Sequence, residues 1–302
     1  MYNNLCNQQV TKLINSFSWL KVGTSETIRT QKILFSTKLL DSSLDSSNNN
    51  LNTNDIILES SNPDPNQNLK DKKFKEWLAG LIDGDGCFGV TDGKYTNCEI
   101  TTGIEDEKML CQIQNKFGGS VQKRSGVNAI RYRLRNKDGM INLVNAVNGN
   151  IRNSVRLTQY FKICRILDVK VIHPIELTKD NAWFMGFFDA DGTINISNRP
   201  QLFVSISNKN YWDVKMLKDF FGGNIYFDSS GYGGFKWSIV NEVDHTKWYE
   251  YNKLSCSRSN KGKRNFLIKD FYDLYNRKAY KQDPELKLLN KAWEEFKLTW
   301  NR

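Results

Sequence analysis

The sequence predicts an α+β fold in which one αββαββα unit occurs twice, with the first helix of each copy packed against the other at a pseudo-two-fold axis. Three observations predict it. Residues 78–86 (Leu-Ala-Gly-Leu-Ile-Asp-Gly-Asp-Gly) and 184–192 (Phe-Met-Gly-Phe-Phe-Asp-Ala-Asp-Gly) are apolar, small-residue runs ending in acid-x-acid-Gly, each preceded by a tryptophan, Trp77 or Trp183. A second pair recurs at the matching place in each half: Phe117-Gly118-Gly119-Ser120-Val121 and Phe221-Gly222-Gly223-Asn224-Ile225. Helix-like and strand-like segments then follow each run in the same order, the signature of an internal repeat.

Residues 1–70 stand apart. Residues 41–68 are rich in Ser, Asn, Asp and Pro and read as a disordered linker, because such a composition buries little apolar surface. Residues 1–40 read as a leader upstream of the functional domain. Ile14, Phe17, Leu20 and Val22 suit a short helix there, and the segment is a weak match to an organelle-targeting sequence. The low-complexity leader and linker together span 1–70.

The first unit is assigned to 71–170. Phe74, Trp77, Leu78 and Leu81 share one face of a helix over 73–84, and Gly86 ends it. Residues 87–90 and 99–102 read as strands. Met109, Leu110, Ile113 and Phe117 form a stripe on a helix over 105–117, and Gly118-Gly119 turns the chain. Residues 120–123 and 129–135 form a hairpin, followed by helices over 137–147 and 155–167. The second unit, 171–280, restates this order. It has a helix over 181–190, strands over 193–197 and 202–207, a helix over 211–221, a hairpin strand over 234–240, and helices near 245–251 and 263–275. An amphipathic helix over 284–300 has no counterpart in the first half and defines a C-terminal segment, 281–302.

Composition narrows the chemistry. The 302 residues suffice for two domains. No apolar run approaches the roughly 20 residues that a membrane-spanning helix needs, so no membrane partner is expected. The six cysteines are scattered with no CxxC pair, which reads as reduced thiols rather than a disulfide frame or zinc site. Two histidines, His173 and His245, leave little room for a histidine-ligated metal or a Ser-His-Asp hydrolase. The formal net charge is +10. Residues 1–70 sum to zero (Lys12, Lys21, Arg29, Lys32, Lys38 and Lys70 against Glu26, Asp41, Asp45, Asp55, Glu59 and Asp64), so the excess lies in the repeated part and suggests a polyanionic partner.

The motifs then carry specific expectations. Gly80 and Gly84 lie four apart on one helix, as do Gly186 and Ala190 on the other, and small residues on one face let two helix backbones approach closely. These four positions are the predicted helix interface. Asp85 and Asp191 end the two helices, where a carboxylate meets the negative end of the helix dipole. Bringing both ends together demands a counter-charge, which a divalent cation with carboxylate and water ligands supplies. Asp83 and Asp189, two residues earlier, suit a hydrogen-bonding role. Arg131, Arg133 and Arg135 alternate with Ile130, Tyr132 and Leu134, so period two places the guanidiniums on one sheet face, a good fit to phosphates and guanine edges. Lys94, Lys123 and Arg124 add to that face or its loops. Asn195, Ser197, Arg199, Asn208, Lys209 and Lys236 form the second half's less basic set, and the difference suits an asymmetric target.

These residues resemble the LAGLIDADG homing endonucleases in their two-motif, single-chain form, and residues 183–196, 223–227 and 235–239 are similar to proteins encoded in mitochondrial group I introns. The resemblance covers about residues 72–280. It implies paired saddles whose sheets straddle the DNA major groove. It implies that Asp85 and Asp191 bind catalytic Mg2+ (or Mn2+), that a monomer cuts both strands of a long double-stranded target, and that the protein belongs to a mitochondrion. It further implies that some relatives act as maturases on their own intron RNA. A lysine at the end of the fourth strand is a common family feature. Lys137 fits that position in the first unit as a catalytic residue. The second unit has Glu242 there, with Lys236 nearby, a departure that would fit slower or one-sided nicking. The site-specific endonuclease is the leading reading and the RNA maturase the alternative. A transcription regulator on the same scaffold would carry an added DNA-binding domain, and none is seen.

Overall fold

The computed structural model describes residues 65–230 and 233–302. The leader and most of the linker expected over 1–70 lie outside the described residues. The first helix, α1 (Pro65–Asp85), begins eight residues before the sequence reading placed it and takes in the end of the expected linker. Pro65 suits that start, since a first-turn residue needs no amide hydrogen and proline's φ is already helical.

Two units follow in the same order. In the first, α1 leads to β1 (Gly86–Thr91), β2 (Tyr95–Gly103), α2 (Glu107–Phe117), β3 (Ser120–Lys123), β4 (Ala129–Leu134), α3 (Lys137–Val147) and α4 (Ser154–Leu167). In the second, α5 (Trp183–Asp191) leads to β5 (Gly192–Ile196), β6 (Leu202–Asn208), α6 (Tyr211–Phe221), β7 (Asn224–Asp228), β8 (Gly234–Ile239) and α7 (Glu242–Leu254). A 3-10 segment (Asn260–Leu267), α8 (Ile268–Asn276) and α9 (Lys287–Trp300) complete the chain. The fold is therefore α+β, with two four-stranded antiparallel sheets ordered β1-β2-β4-β3 and β5-β6-β8-β7.

The sheets match register for register. Gly86 faces Ile100 as Gly192 faces Ile206. Period two sends Ile100, Tyr132 and Leu134 of one sheet, and Ile206, Trp237 and Ile239 of the other, into the core, where each is fully buried. The Gly-Gly turns also correspond. Gly118 and Gly222 sit at φ 77° and 80°, a region that favours glycine. Their carbonyls accept from the Tyr132 hydroxyl at 3.0 Å and the Trp237 indole at 2.8 Å. The α9 helix, absent from the first unit, buries Trp293, Phe296 and Trp300, with Trp293 and Phe296 against Phe271 of α8. No helix among the described residues is long and apolar enough to cross a membrane.

Candidate active site at the junction of the motif helices

The α1 and α5 helices touch through their small residues. A Cβ on Gly80 would lie 2.0 Å from the Trp183 carbonyl, and one on Gly186 would lie 1.9 Å from the Trp77 carbonyl. One on Gly84 would lie 2.3 Å from the Ala190 Cβ and 3.4 Å from the Asp191 carboxylate carbon. The four small positions read from the sequence thus form the seam, and its lower end holds the paired acids.

Reciprocal hydrogen bonds fix the seam. Trp77 Nε1 donates to Asp189 Oδ2 at 2.8 Å, and Trp183 Nε1 donates to Asp83 Oδ2 at 2.7 Å. Each of these buried acids also gathers the loop that closes its own unit. Asp83 accepts from the Arg152 amide. Asp189 accepts from the Arg258 amide and from the hydroxyls of Ser257 and Ser259. Burial still pushes Asp83 up to about 7, because its donors offset desolvation only in part. The start of α5 is held by Glu76 of α1, which accepts from the Ala182 amide at 2.9 Å.

Asp85 and Asp191 meet at the helix ends. Asp85 is pushed up to about 7 by burial first and by the charge of Asp191 second, with Lys261 pulling the other way. Asp191 is raised by burial and partly relieved by Asn208, whose Nδ2 donates to it at 3.2 Å. The cation that joins them is Lys261, which no sequence pattern singled out. Its Nζ donates to the Ala190 and Gly192 carbonyls at 2.8 and 2.9 Å, capping the negative end of α5. Burial lowers its pKa, while Asp189, Asp85, Asp106 and Asp191 oppose that shift. Arg156 adds a second positive charge toward both acids.

The donor set suits a hard divalent ion. Two desolvated carboxylates that repel each other are available, and no cluster of three or more His, Cys, Asp or Glu ligands exists among the described residues. An ion that keeps several waters, as Mg2+ does, matches such a site better than one that needs a full protein cage.

The LAGLIDADG endonuclease family profile matches residues 78–167. The intron-encoded RNA maturase bI4 of Saccharomyces cerevisiae is 52% identical over 98% of this chain and 47% of its own length. The intron-encoded DNA endonuclease ai2a of Dictyostelium discoideum is 32% identical over 77% of this chain and 76% of its own length. The chain belongs to the LAGLIDADG endonuclease family. It spans less than half the length of the maturase relative. The solved LAGLIDADG meganuclease I-AabMI, bound to uncleaved DNA, shares the fold with a TM-score of 0.55 at 16% identity, covering 73% of this chain and 98% of that one.

On this LAGLIDADG scaffold the residues named from the sequence fall into separate places. Arg131 and Arg133 do share the outward face of β4, but Glu99 of β2 pairs with both, at 3.4 and 2.6 Å. Together with Arg135, Lys123 and Arg124 they line an open groove of about 580 Å³. Lys94 stands at the β1–β2 turn, over the Tyr95 ring. Asn195 is exposed on β5, and Lys236 lies opposite Ser207 and Tyr226 on the second sheet. Three further residues of that set have neighbours of their own. Asn208 holds Asp191. Arg199 lines a pocket with Phe271, Tyr272 and Tyr275. Lys209 donates to the Gly233 carbonyl before β8.

Lys137 is the clearest displacement. It is exposed in the opening turn of α3, and the cations acting on the acids are Lys261 and Arg156 instead. The register explains this. Asp85 precedes Gly86, which is level with Ile100 and through it with Tyr132. Lys137 lies beyond the end of β4 and two strands across, roughly 10 Å of lateral spacing alone. Glu242, its counterpart, likewise opens α7 and accepts from Asn276.

Proposed function

We propose that this chain is a site-specific double-strand DNA endonuclease encoded by a mobile group I intron, working as a monomer in the mitochondrion with Mg2+ (or Mn2+). The observation that carries the reading is the meeting of Asp85 and Asp191 beside Lys261, at the foot of two sheets of which one presents a basic groove. The relative ai2a, named a DNA endonuclease, supports it. A divalent ion held by Asp85 and Asp191 would activate water and stabilise the oxygen leaving a phosphodiester.

The chain's own groups set up the rest. The Trp77–Asp189 and Trp183–Asp83 bonds lock the two carboxylates at a fixed separation. Asn208 orients Asp191, and Lys261 balances the negative charge that the helix ends and acids concentrate there. The arginine face of the first sheet binds and positions phosphates, and its polar counterpart in the second suits a different half of a long asymmetric site.

The test is cleavage of a supercoiled plasmid carrying the intronless allele. With Mg2+ present, the wild-type protein linearises it. Asp85→Asn lowers the rate by at least about 10³-fold while duplex binding in a gel-shift assay stays within a few-fold. Cutting that survives Asp85→Asn would sink the reading. The maturase reading rests on one specific observation, the 52% identity to a relative named as an RNA maturase. Splicing of the host intron RNA with and without protein separates the two activities, which are compatible in one chain.

A further inference from the structure

Four aromatic side chains of the second unit form a largely exposed ladder. Trp212 is 71% exposed and Phe227 62% exposed. The Tyr211 ring meets the Trp212 ring edge-on at 5.4 Å and the Phe235 ring at 5.5 Å, and Phe235 meets Phe227 at 5.5 Å. The ladder thus runs from the first turn of α6 across β8 to β7, the edge strand of its sheet. Tyr226, also exposed, precedes Phe227 on β7, so its ring lies on the opposite, outward face, level with Lys236.

The first unit shows that the fold does not need these rings. Counting back from the Gly-Gly turns, Tyr211 and Trp212 occupy the places of Glu107 and Lys108, both exposed. The burial pattern agrees, since Met109, Leu110 and Ile113 are buried as Asp213, Val214 and Leu217 are. On the hairpins, the strand registers match Phe227 with Lys123, Tyr226 with Gln122 and Lys236 with Arg131. The same surface is charged in one unit and aromatic in the other. A cluster of exposed apolar side chains that the scaffold can do without marks a surface that meets a partner.

We propose that this ladder holds the unpaired bases of a single nucleic-acid strand, RNA or DNA, that leaves the outward face of the second sheet and turns around β7. Two observations choose this occupant. Through Tyr226 and Lys236 the ladder is continuous with the sheet face assigned to nucleic acid. Lysines flank it: Lys209, whose Nζ donates to the Gly233 carbonyl before β8, and Lys215, one turn beyond Trp212 and paired with Asp219 at 2.5 Å. Chemistry then separates strand from duplex. In a duplex the flat face of each base is covered by its neighbours, so a protein meets phosphates and base edges. Gln122, Lys123 and Arg131 of the first unit suit that target. An unpaired base offers its face, and an aromatic ring that stacks on it gains whatever the base is. The proposal needs nucleic acid at the sheets but no cleavage, so it stands or falls apart from the endonuclease reading.

Fluorescence anisotropy of short labelled oligouridylate and oligothymidylate, on the full chain, tests this alongside a duplex gel shift. Wild-type protein binds one or both strands. Binding also shields Trp212, the one exposed tryptophan among the described residues, from acrylamide quenching measured against Trp212→Phe. Tighter binding of the uridylate makes RNA the source and tighter binding of the thymidylate makes it DNA; either upholds the stacking. Trp212→Ala weakens single-strand binding by about tenfold or more, Phe227→Ala weakens it as well, and Trp212→Phe retains most of it. Duplex binding by all three stays within a few-fold. Both substituted side chains are exposed, and thermal melts confirm that the variants fold. Wild-type protein that ignores both strands, or alanine variants that bind them equally well, would overturn the proposal while leaving plasmid cleavage intact. So would a dimer that Trp212→Ala dissolves and the oligonucleotides do not, because the ladder then serves a second copy of the chain. A plasmid left uncut by protein that still binds the strands would overturn the endonuclease reading alone.

Discussion

His245 sits at the centre of the second unit with no exposed surface, its Nδ1 2.7 Å from the Tyr272 hydroxyl and its Nε2 unpartnered. Burial lowers its pKa from 6.5 to about 4. The unfolded chain therefore takes up a proton between those values that the folded chain refuses, and folding stability falls as pH drops from 6.5 toward 4. Metal-free thermal melts at about pH 7 and about pH 5 check this. Wild-type protein loses more stability across that interval than His245→Gln, and equal losses would mean the imidazole is not held neutral. Residue roles were unevenly legible in the sequence. The hydrogen-bonding duty of Asp83 and Asp189 was readable, because acids two positions from the helix end needed some donor. Lys261 was not, because it lies 71 residues from the Ala190 carbonyl it caps, in a 3-10 segment with no periodic pattern.

At the level of single elements, the small-residue faces and the alternating strands were open to sequence reasoning because both follow from backbone period. Glu99 was not, because its pairing with Arg131 and Arg133 depends on strand register across β2 and β4. Each feature makes a prediction. Gly80→Ala drives a methyl carbon into the Trp183 carbonyl of the facing helix backbone, which has no rotamer to move aside. Overpacking of this kind costs at least about 1–3 kcal/mol, read as a lowered Tm or as insoluble protein. A Gly80→Ala variant that melts with the wild type would refute the close seam. Glu99→Gln releases two guanidiniums to meet phosphate. Duplex binding should tighten, and its log–log salt slope should steepen by about one to two phosphate contacts. A slope unchanged by the substitution would mean that these arginines face away from the nucleic acid.

At the largest scale, the described residues form two units that share one seam, and the sharing has a physical consequence for each unit alone. Trp77 of α1 and Trp183 of α5, whose indoles reach across the seam, are almost wholly buried. Apolar surface removed from water is worth about 25 cal/mol per Å², so baring the two indoles strips a sizeable part of the stability of a small domain. The polar bonds fail in the same cut: Trp77 loses Asp189, Trp183 loses Asp83, and the Ala182 amide loses Glu76. A fragment spanning residues 65–170 still carries Trp77, Gly80 and Asp83, the same constellation that α5 offers it. In a two-fold pair of such fragments, Trp77 of one copy would meet Asp83 of the other. Expressed alone, the fragment should therefore elute as a dimer or larger species in size-exclusion chromatography with light scattering. Co-expression with 171–302 should restore a 1:1 pair. A monomeric fragment that melts cooperatively near the temperature of the full chain would show that each unit is stable without the seam, and that the two acids are brought together by something other than the packing of α1 on α5.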